Sequence, residues 1–313
     1  ILLFTLLKTV SIVDNLKSSI HYSMSISRQN LSVVIVTLKS EKVIDDCIKL
    51  INQEVPIIVV EHSNNHSFKE KLEHSYKNLK CILSKSNLGM GTGNNIGIKA
   101  AETEYVLILN PDVILEKNAI EELLLASSKL SNFTILAPLE KNFANYGMFG
   151  GRIVNKNLDD APFKVDFVDG FAMLLNKKQL KEKAYFDENF FMYLENTDLC
   201  KRIFNNEGSI FVVPKSRINH LAAKTVDKKF ADEIEFSRNW HWIWSKFYFN
   251  KKHFGFFKAF YEGAPRYFLS MIKFIFYLLI NNKKKKKIYF NRASGFYNAL
   301  LGRSSWYRPN LND

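Results

Sequence analysis

The sequence predicts an α/β fold, a mostly parallel sheet flanked by helices and followed by a helical tail rich in aromatic and basic residues. Three observations lead there. Short β-branched runs recur between Leu31 and Leu109 and alternate with segments of helical periodicity, the pattern of a parallel sheet with crossover helices. Of the 313 residues, 47% are hydrophobic, enough for a full core. From about Arg238 the composition shifts toward aromatics and lysine.

Leu31–Thr37 (LSVVIVT) reads as a buried parallel strand. Glu41–Gln53 places Val43, Ile44, Cys47, Ile48 and Ile51 at helical spacing, and Pro56 ends that segment. Ile57–Glu61 (IIVVE) is a second strand, Lys69–Tyr76 a helix and Cys81–Ser84 a third strand. Asn94–Glu102 is a helix entered through a glycine-rich turn, Tyr105–Leu109 (YVLIL) a fourth strand, and Asn118–Leu130 an amphipathic helix. Phe143–Gly170 is irregular, with loops and short strands. Phe171–Leu175 is strand-like, Glu195–Asn205 helical, and Ile210–Val213 a strand ended by Pro214. The expected organisation is a leader or upstream segment (1–30), a catalytic domain (31–237) and a tail (238–313). Residue 1 is Ile and the first Met is Met24. Ile1–Ser23 is set apart from the fold as an upstream flank or short leader, and Ile1–Leu7 is too short to span a bilayer.

The net charge of +13 favours anionic partners such as nucleotide phosphates or an acidic membrane surface. Much of the excess lies in the tail, so nucleic acid is not an expected partner. Cys47, Cys81 and Cys200 are odd in number, widely spaced and outside any CxxC pattern. That argues against a disulfide framework or zinc site and places the chain in a reducing compartment, the cytoplasm. In the tail, the apolar stretch Tyr267–Ile280 precedes Lys283–Lys287. Two readings stand: an interfacial anchor on the inner face of the cytoplasmic membrane, or a helix packed on the catalytic domain with a solvated lysine run.

Parallel sheets bind ligands at the carboxyl ends of their strands. Asn110-Pro111-Asp112 follows an apolar strand at that edge. Its carboxylate suits a hard cation bridging two phosphates, and the same tripeptide is also a good turn. Asn87–Asn95 (NLGMGTGNN) is a glycine-rich loop opening a helix, able to approach an anion or to serve as a plain turn. It matches neither the dinucleotide fingerprint nor a Walker loop, and no GxGxxG follows the first strand, so a nicotinamide-dependent oxidoreductase is not favoured. Glu195 and Asp198 share a helical face behind aromatics. Either could be a desolvated base, or both could cap the helix start. His220 follows the last strand and becomes a candidate metal ligand if a carboxylate lies beside it.

In this order the segments VVIVTLKS, IIVVEHSNN, NLGMGTGNNIGI, LILNPDV, FDENFFMYLENTDLCKR and INHLAAKT resemble the inverting family 2 glycosyltransferases of GT-A fold, and most of all their bacterial rhamnosyltransferase-like branch. The resemblance covers roughly Leu31–Thr225. It implies transfer of a sugar from a nucleotide sugar, such as a dTDP- or UDP-sugar, to a lipid-linked or glycan acceptor in surface polysaccharide or O-antigen synthesis. It implies Mg²⁺ or Mn²⁺ on the donor diphosphate at Asp112, with help from His220. Thr37, Glu61, Asn87, Gly89 and Asn94 would lie around the nucleotide, and Glu195 or Asp198 would be the base. Two departures stand out. Glu61 occupies a position where relatives commonly carry Asp. Asn196 replaces the second acid of the family's Glu-Asp pair and cannot accept a proton as a base does. Asn196 keeps open a second reading, a catalytically silent homologue that binds nucleotide sugar or a partner enzyme.

Overall fold

The computed structural model describes residues 30–130, 132–151, 160–180, 185–221 and 228–311. The upstream segment and the Lys224–Thr225 end of the histidine motif lie outside them.

Strands β1 (Leu31–Thr37), β2 (Ile57–Glu61), β3 (Leu79–Leu83) and β4 (Tyr105–Leu109) form a parallel half-sheet in the order β3-β2-β1-β4. Helices α1 (Ile44–Ile48), α2 (His66–Ser75) and α3 (Met90–Ala100) connect them. The register is continuous, from Val33 opposite Ile57 to Thr37 opposite Glu61. Strand β1 is buried along its whole length because it feeds two cores at once. Val33 and Ile35 pack with Ile44, Cys47 and Leu72 on one face, and Val34 and Val36 pack with Ile98 and Leu199 on the other. That is the period of two of a strand with both faces covered.

The second half of the sheet is mixed. After β5 (Val113–Leu115) and α4 (Ala119–Lys129) come β6 (Ile135–Glu140), the short β7 (Tyr146–Gly147), β8 (Phe163–Val165) and β9 (Phe167–Val168), and then β10 (Ala172–Asn176). Strand β10 lies antiparallel between β4 and β6. It sets Ala172 opposite Leu109, so the residues before β10 reach the carboxyl end of β4. Helix α5 (Glu195–Asn205) follows, and then β11 (Ile210–His220), parallel to β6 and antiparallel to β5.

Three expectations change. The helix expected over Glu41–Gln53 contracts to α1, because turns at Ser40–Ile44 and Ile48–Ile51 close on both sides. Pro214 does not end the last strand. A register shift between Val213 and Arg217 absorbs the missing amide, and the strand runs on to His220. Strands β5 and β6 were not expected, and Pro138 inside β6 (ILAPLE) is why that segment does not read as a strand.

The tail is three helices, α6 (Ala231–Phe254), α7 (Phe256–Leu279) and α8 (Lys283–Leu300), around a core of Trp240, Trp244, Phe247 and Phe296. Helix α6 docks on the preceding chain: Ser245 Oγ donates to Met192 O at 2.8 Å and Tyr248 Oη to Asp187 at 3.0 Å. Helix α7 buries only Ala259 and Ser270. Among the described residues no helix is long and apolar enough to cross a membrane.

Candidate functional site

The carboxyl ends of β1, β2 and β3 open onto a cavity of about 430 Å³. Its wall includes Lys39 after β1, His62 and Ser63 after β2, Lys85 and Asn87 after β3, and Arg308 from beyond α8. Thr37 and Glu61 form a closed floor instead of an exposed contact, at 1% and 0% exposure. Thr37 Oγ1 and Ser63 Oγ both donate to the Glu61 carboxylate, and Ser63 N donates at 2.6 Å. His62 stands between this floor and the glycine-rich loop. Its Nε2 donates to Gly89 O at 3.1 Å, which leaves Nδ1 to accept from Ser84 Oγ at 2.7 Å. Burial lowers the His62 pKa, so that neutral tautomer prevails.

The helix expected from Asn94 begins at Met90, so Gly91 and Gly93 lie in its first turns and Gly89 in the loop before it, and these glycines face protein. Gly89 has φ +85°, and a Cβ there would lie 2.2 Å from Phe191 O. A Cβ on Gly93 would lie 2.7 Å from His62 Nε2. The loop therefore locks the cavity to the aromatic segment before α5, and Met90 N donates to Phe191 O at 3.2 Å. Asn87 Oδ1 accepts from Gly89 N at 3.1 Å and holds the turn. Asn94 is buried on α3, and its Oδ1 has no partner.

Asp112 lies beyond β4 with 5% exposure. The extension of β11 brings His220 opposite Val113 and puts its Nε2 at 3.3 Å from Asp112 Oδ1. Phe171 stacks on the His220 ring at 4.3 Å. Adjacent ligands of an octahedral cation at ~2.1 Å stand about 3 Å apart, so these two atoms fit one edge of such a shell. Asn110 Oδ1 beside them is buried without a partner. Among the described residues no group of three or more His, Cys, Asp or Glu side chains is arranged for a metal. A cation here would take most of its ligands from diphosphate and water.

Glu195 opens α5 after two residues in the left-handed region, Tyr193 (φ 70°) and Leu194 (φ 67°). Its Oε2 is enclosed without a partner, and burial pushes the carboxyl up to about 7. Asp198 is differently placed, although it shares the helical face. At 0% exposure its oxygens meet Arg202 Nε at 2.9 Å, Lys252 Nζ at 2.7 Å and His253 Nε2 at 2.8 Å. Asn196 Nδ2 donates to Val168 O at 2.9 Å, and its side chain packs on Gly170.

The segment Val168–Phe171 joins the two halves of the site. Phe171 O accepts from Asn110 N at 2.8 Å, and Gly170 touches Asn196. Between them sits Asp169, a residue the sequence reading missed. Burial raises its carboxyl pKa, opposed by nearby His220. The Asp-Gly pair just before a strand was the available signal. A search confined to residues after strands passes over it, because β10 enters the ligand edge at its amino end. Another concavity, lined by Thr134, Arg202 and Ser209, lies at the amino ends of β6 and β11, away from these groups.

Residues 32–178 match the family model described as glycosyl transferase family 2. The low-salt glycan biosynthesis hexosyltransferase Agl10 of Haloferax volcanii is 28% identical over 193 residues, covering 55% of this chain and 61% of that protein. The match thus spans less than two thirds of that relative. Rhamnosyltransferase WbbL of Escherichia coli is 25% identical, over 61% of this chain and 83% of its own. The N-acetylglucosaminyl-diphospho-decaprenol L-rhamnosyltransferase of Mycobacterium tuberculosis is 22% identical, over 58% and 71%. Among solved structures, S. aureus TarS 1-349 aligns with a TM-score of 0.50 at 17% identity, covering 91% of this chain and 94% of that one. A mannosyltransferase from Pyrobaculum calidifontis, in complex with GDP-Man and Mn²⁺, aligns at 0.51 and 11%, over 87% and 73%. These structural likenesses bear on the fold, which is the GT-A-like architecture expected from the sequence.

Proposed function

Since residues 32–178 match the glycosyl transferase family 2 model, we propose that the chain moves one sugar from a nucleoside-diphosphate sugar to an acceptor hydroxyl, with inversion at the anomeric carbon. One observation carries this reading. Buried side-chain oxygens without a partner among the described residues include those of Asn94, Asn110 and Glu195, in three of the expected site motifs, beside Ser237 Oγ on α6. Leaving a buried acceptor unpaired costs about 1–3 kcal/mol, and such groups call for an explanation. Here it is a ligand that supplies the missing donors.

Asp112 and His220 would hold Mg²⁺ or Mn²⁺ against the donor diphosphate. The bound cation would supply charge neutralisation to the departing nucleoside diphosphate. Glu195 takes the proton of the acceptor hydroxyl as that oxygen bonds to the anomeric carbon and the carbon–phosphate-oxygen bond breaks. A carboxyl poised near 7 is matched to that task. Asp198, held by three basic groups, is the weaker candidate of the two. The nucleotide would enter over Lys39, Ser63 and Asn87, with Thr37 and Glu61 shaping the floor. The proposal extends to rhamnosyl or hexosyl transfer in surface polysaccharide or O-antigen synthesis, with a dTDP- or UDP-sugar donor and a lipid-linked or glycan acceptor; relatives named as rhamnosyl- and hexosyltransferases support the class of transfer.

The silent-homologue reading rests on Asn196, whose amide serves the Val168 carbonyl in place of an acid. Release of nucleoside diphosphate from a panel of nucleotide sugars, with Mn²⁺ or Mg²⁺, separates the two. The transferase reading expects metal-dependent release from one donor, abolished in Asp112→Ala. Binding without release from any donor or acceptor would overturn it in favour of the silent homologue.

The catalytic unit would sit in the cytoplasm, with the tail touching the inner face of an anionic membrane. Support comes from α7, where Phe257, Tyr261 and Leu279 are 86%, 80% and 79% exposed. The lysine run is partly engaged within the chain. Lys284 pairs with Asp232 at 2.7 Å and Lys287 with Glu233 at 2.8 Å. Lys285 lies over the Tyr277 ring, and exposed Lys283 would face lipid headgroups.

A further inference from the structure

The nucleotide cavity carries an unusual wall. Three cations line it, Lys39, Lys85 and Arg308, and among the described residues no carboxylate does. Arg308, Pro309 and Leu311 belong to a segment without regular secondary structure that follows α8 and crosses back over the carboxyl ends of β1, β2 and β3. That segment is tied down along its length. Ser305 Oγ donates to Asn189 O at 2.7 Å, and buried His241 donates from Nε2 to Tyr307 O at 2.8 Å. At the far end Lys39 Nζ donates to Leu311 O at 2.6 Å.

Arg308 is held by this arrangement. Its guanidinium lies over the Phe191 ring at 3.7 Å, and Phe191 is the residue whose carbonyl receives Met90 N from the glycine-rich loop. Nη1 donates to Ser305 O at 2.5 Å and to Tyr307 O at 3.0 Å. A guanidinium has five N–H groups in a planar fork. The N–H groups on Nε and Nη2 have no partner among the described residues, and no carboxylate pairs with the side chain. A stacked, oriented and unpaired guanidinium in a cation-lined cavity matches phosphate oxygens.

We propose that the segment Tyr307–Leu311 is a strap across the nucleotide cavity, and that Arg308 is a donor-binding residue whose free N–H groups bind the phosphates of the nucleoside diphosphate. Phe191 orients the fork, so the strap joins the nucleotide to the aromatic segment that leads into Glu195. The inference rests on the nucleotide-sugar reading above and names a residue outside the motifs that support it. Burial lowers the Arg308 pKa without approaching neutrality in its effect, since arginine stays charged in proteins.

Calorimetry with UDP, dTDP and GDP in the presence of Mn²⁺, and with the matching nucleosides, tests it on wild type, Arg308→Gln and Arg308→Lys. Thermal unfolding of each variant reports whether the tail stays docked. The expected result is nucleoside-diphosphate affinity lowered roughly ten- to hundredfold in Arg308→Gln, with nucleoside affinity unchanged. Arg308→Lys recovers part of the loss by retaining charge without the fork. Equal weakening toward diphosphate and nucleoside would overturn the inference and make Arg308 a packing residue on Phe191. Unchanged affinity for both would overturn it as well, while leaving the transferase reading intact. Wild type that binds none of the diphosphates would defeat that reading itself and the strap with it.

Discussion

Two carboxylates stand three residues apart on α5, and their surroundings differ in kind. Glu195 opens the helix at the ligand edge, where its oxygen is enclosed and unpaired. Asp198 lies one turn on, facing α6, where Lys252 and His253 reach it from that helix and Arg202 from its own. Both are enclosed, but Asp198 meets Arg202, Lys252 and His253, while burial of the Glu195 carboxyl pushes it up to about 7. An enclosed acid with partners supports the fold, and one without partners is available for proton transfer. The same helix therefore carries a reactive group at its start and a docking point for the tail in its next turn.

The largest effect that separates the two regions is expected from Glu195→Gln. Transfer falls roughly 10²- to 10⁴-fold, measured as acceptor-dependent release of nucleoside diphosphate, while donor affinity stays within about twofold of wild type. The wild-type rate rises with pH toward a plateau above about 7, since the base must be deprotonated, and this limb disappears in the variant. Stability moves in the opposite sense. The folded-state pKa lies above the ordinary 4.5, so the folded chain binds more proton than the unfolded one between those values. Glu195 therefore destabilises progressively as pH rises through 7, and Glu195→Gln unfolds at equal or higher denaturant at pH 8. A variant that transfers at wild-type rate would move the base elsewhere, to Asp198 or to Asp169.

Asp198→Asn is expected to show the converse. Removing the charge strands Arg202, Lys252 and His253, of which Arg202 and Lys252 can partly reach water. The loss is about 2 kcal/mol of stability, below the full cost of breaking a buried pair. Denaturant unfolding measures it, and the folded fraction retains its turnover. A stable, inactive Asp198→Asn would reverse the assignments of the two acids. The smallest effect concerns the tail's outer side. Phe257→Ser with Tyr261→Ser should weaken cosedimentation with phosphatidylserine-containing vesicles by roughly tenfold, with no change in donor turnover. Equal binding to neutral and anionic vesicles, or no binding by wild type, would remove the membrane from the reading.

The legible part of this molecule is the part whose signals are local. The strands β1, β2 and β4 announce themselves as β-branched runs, and α5 matches its expected bounds, Glu195–Asn205. The motif order also carried the family resemblance, because Asn110-Pro111-Asp112 and the glycine loop each follow a strand. Where two signals conflict locally, the reading broke. Pro214 reads as a strand breaker, and Pro138 lies in a segment given no element, yet β6 and β11 hold both inside a sheet whose other bonds outweigh one missing donor.

By itself the sequence determined the parallel half-sheet, the ligand edge and the identities of Asp112, Glu195 and His220 as residues worth testing. Periodicity and side-chain chemistry are properties of short stretches, and they survive without knowledge of neighbours. The tertiary structure alone decided who stands beside whom. It paired His220 with Asp112 by carrying β11 past its proline, and it brought Asp169 to the edge through an antiparallel strand. It engaged Asp198 with Lys252 and His253 from α6, and it laid Arg308 across a cavity built from residues more than 200 positions earlier. Each of these depends on strand direction or on long-range docking. Those are set by the whole chain's packing, and a window of ten or twenty residues holds no trace of them.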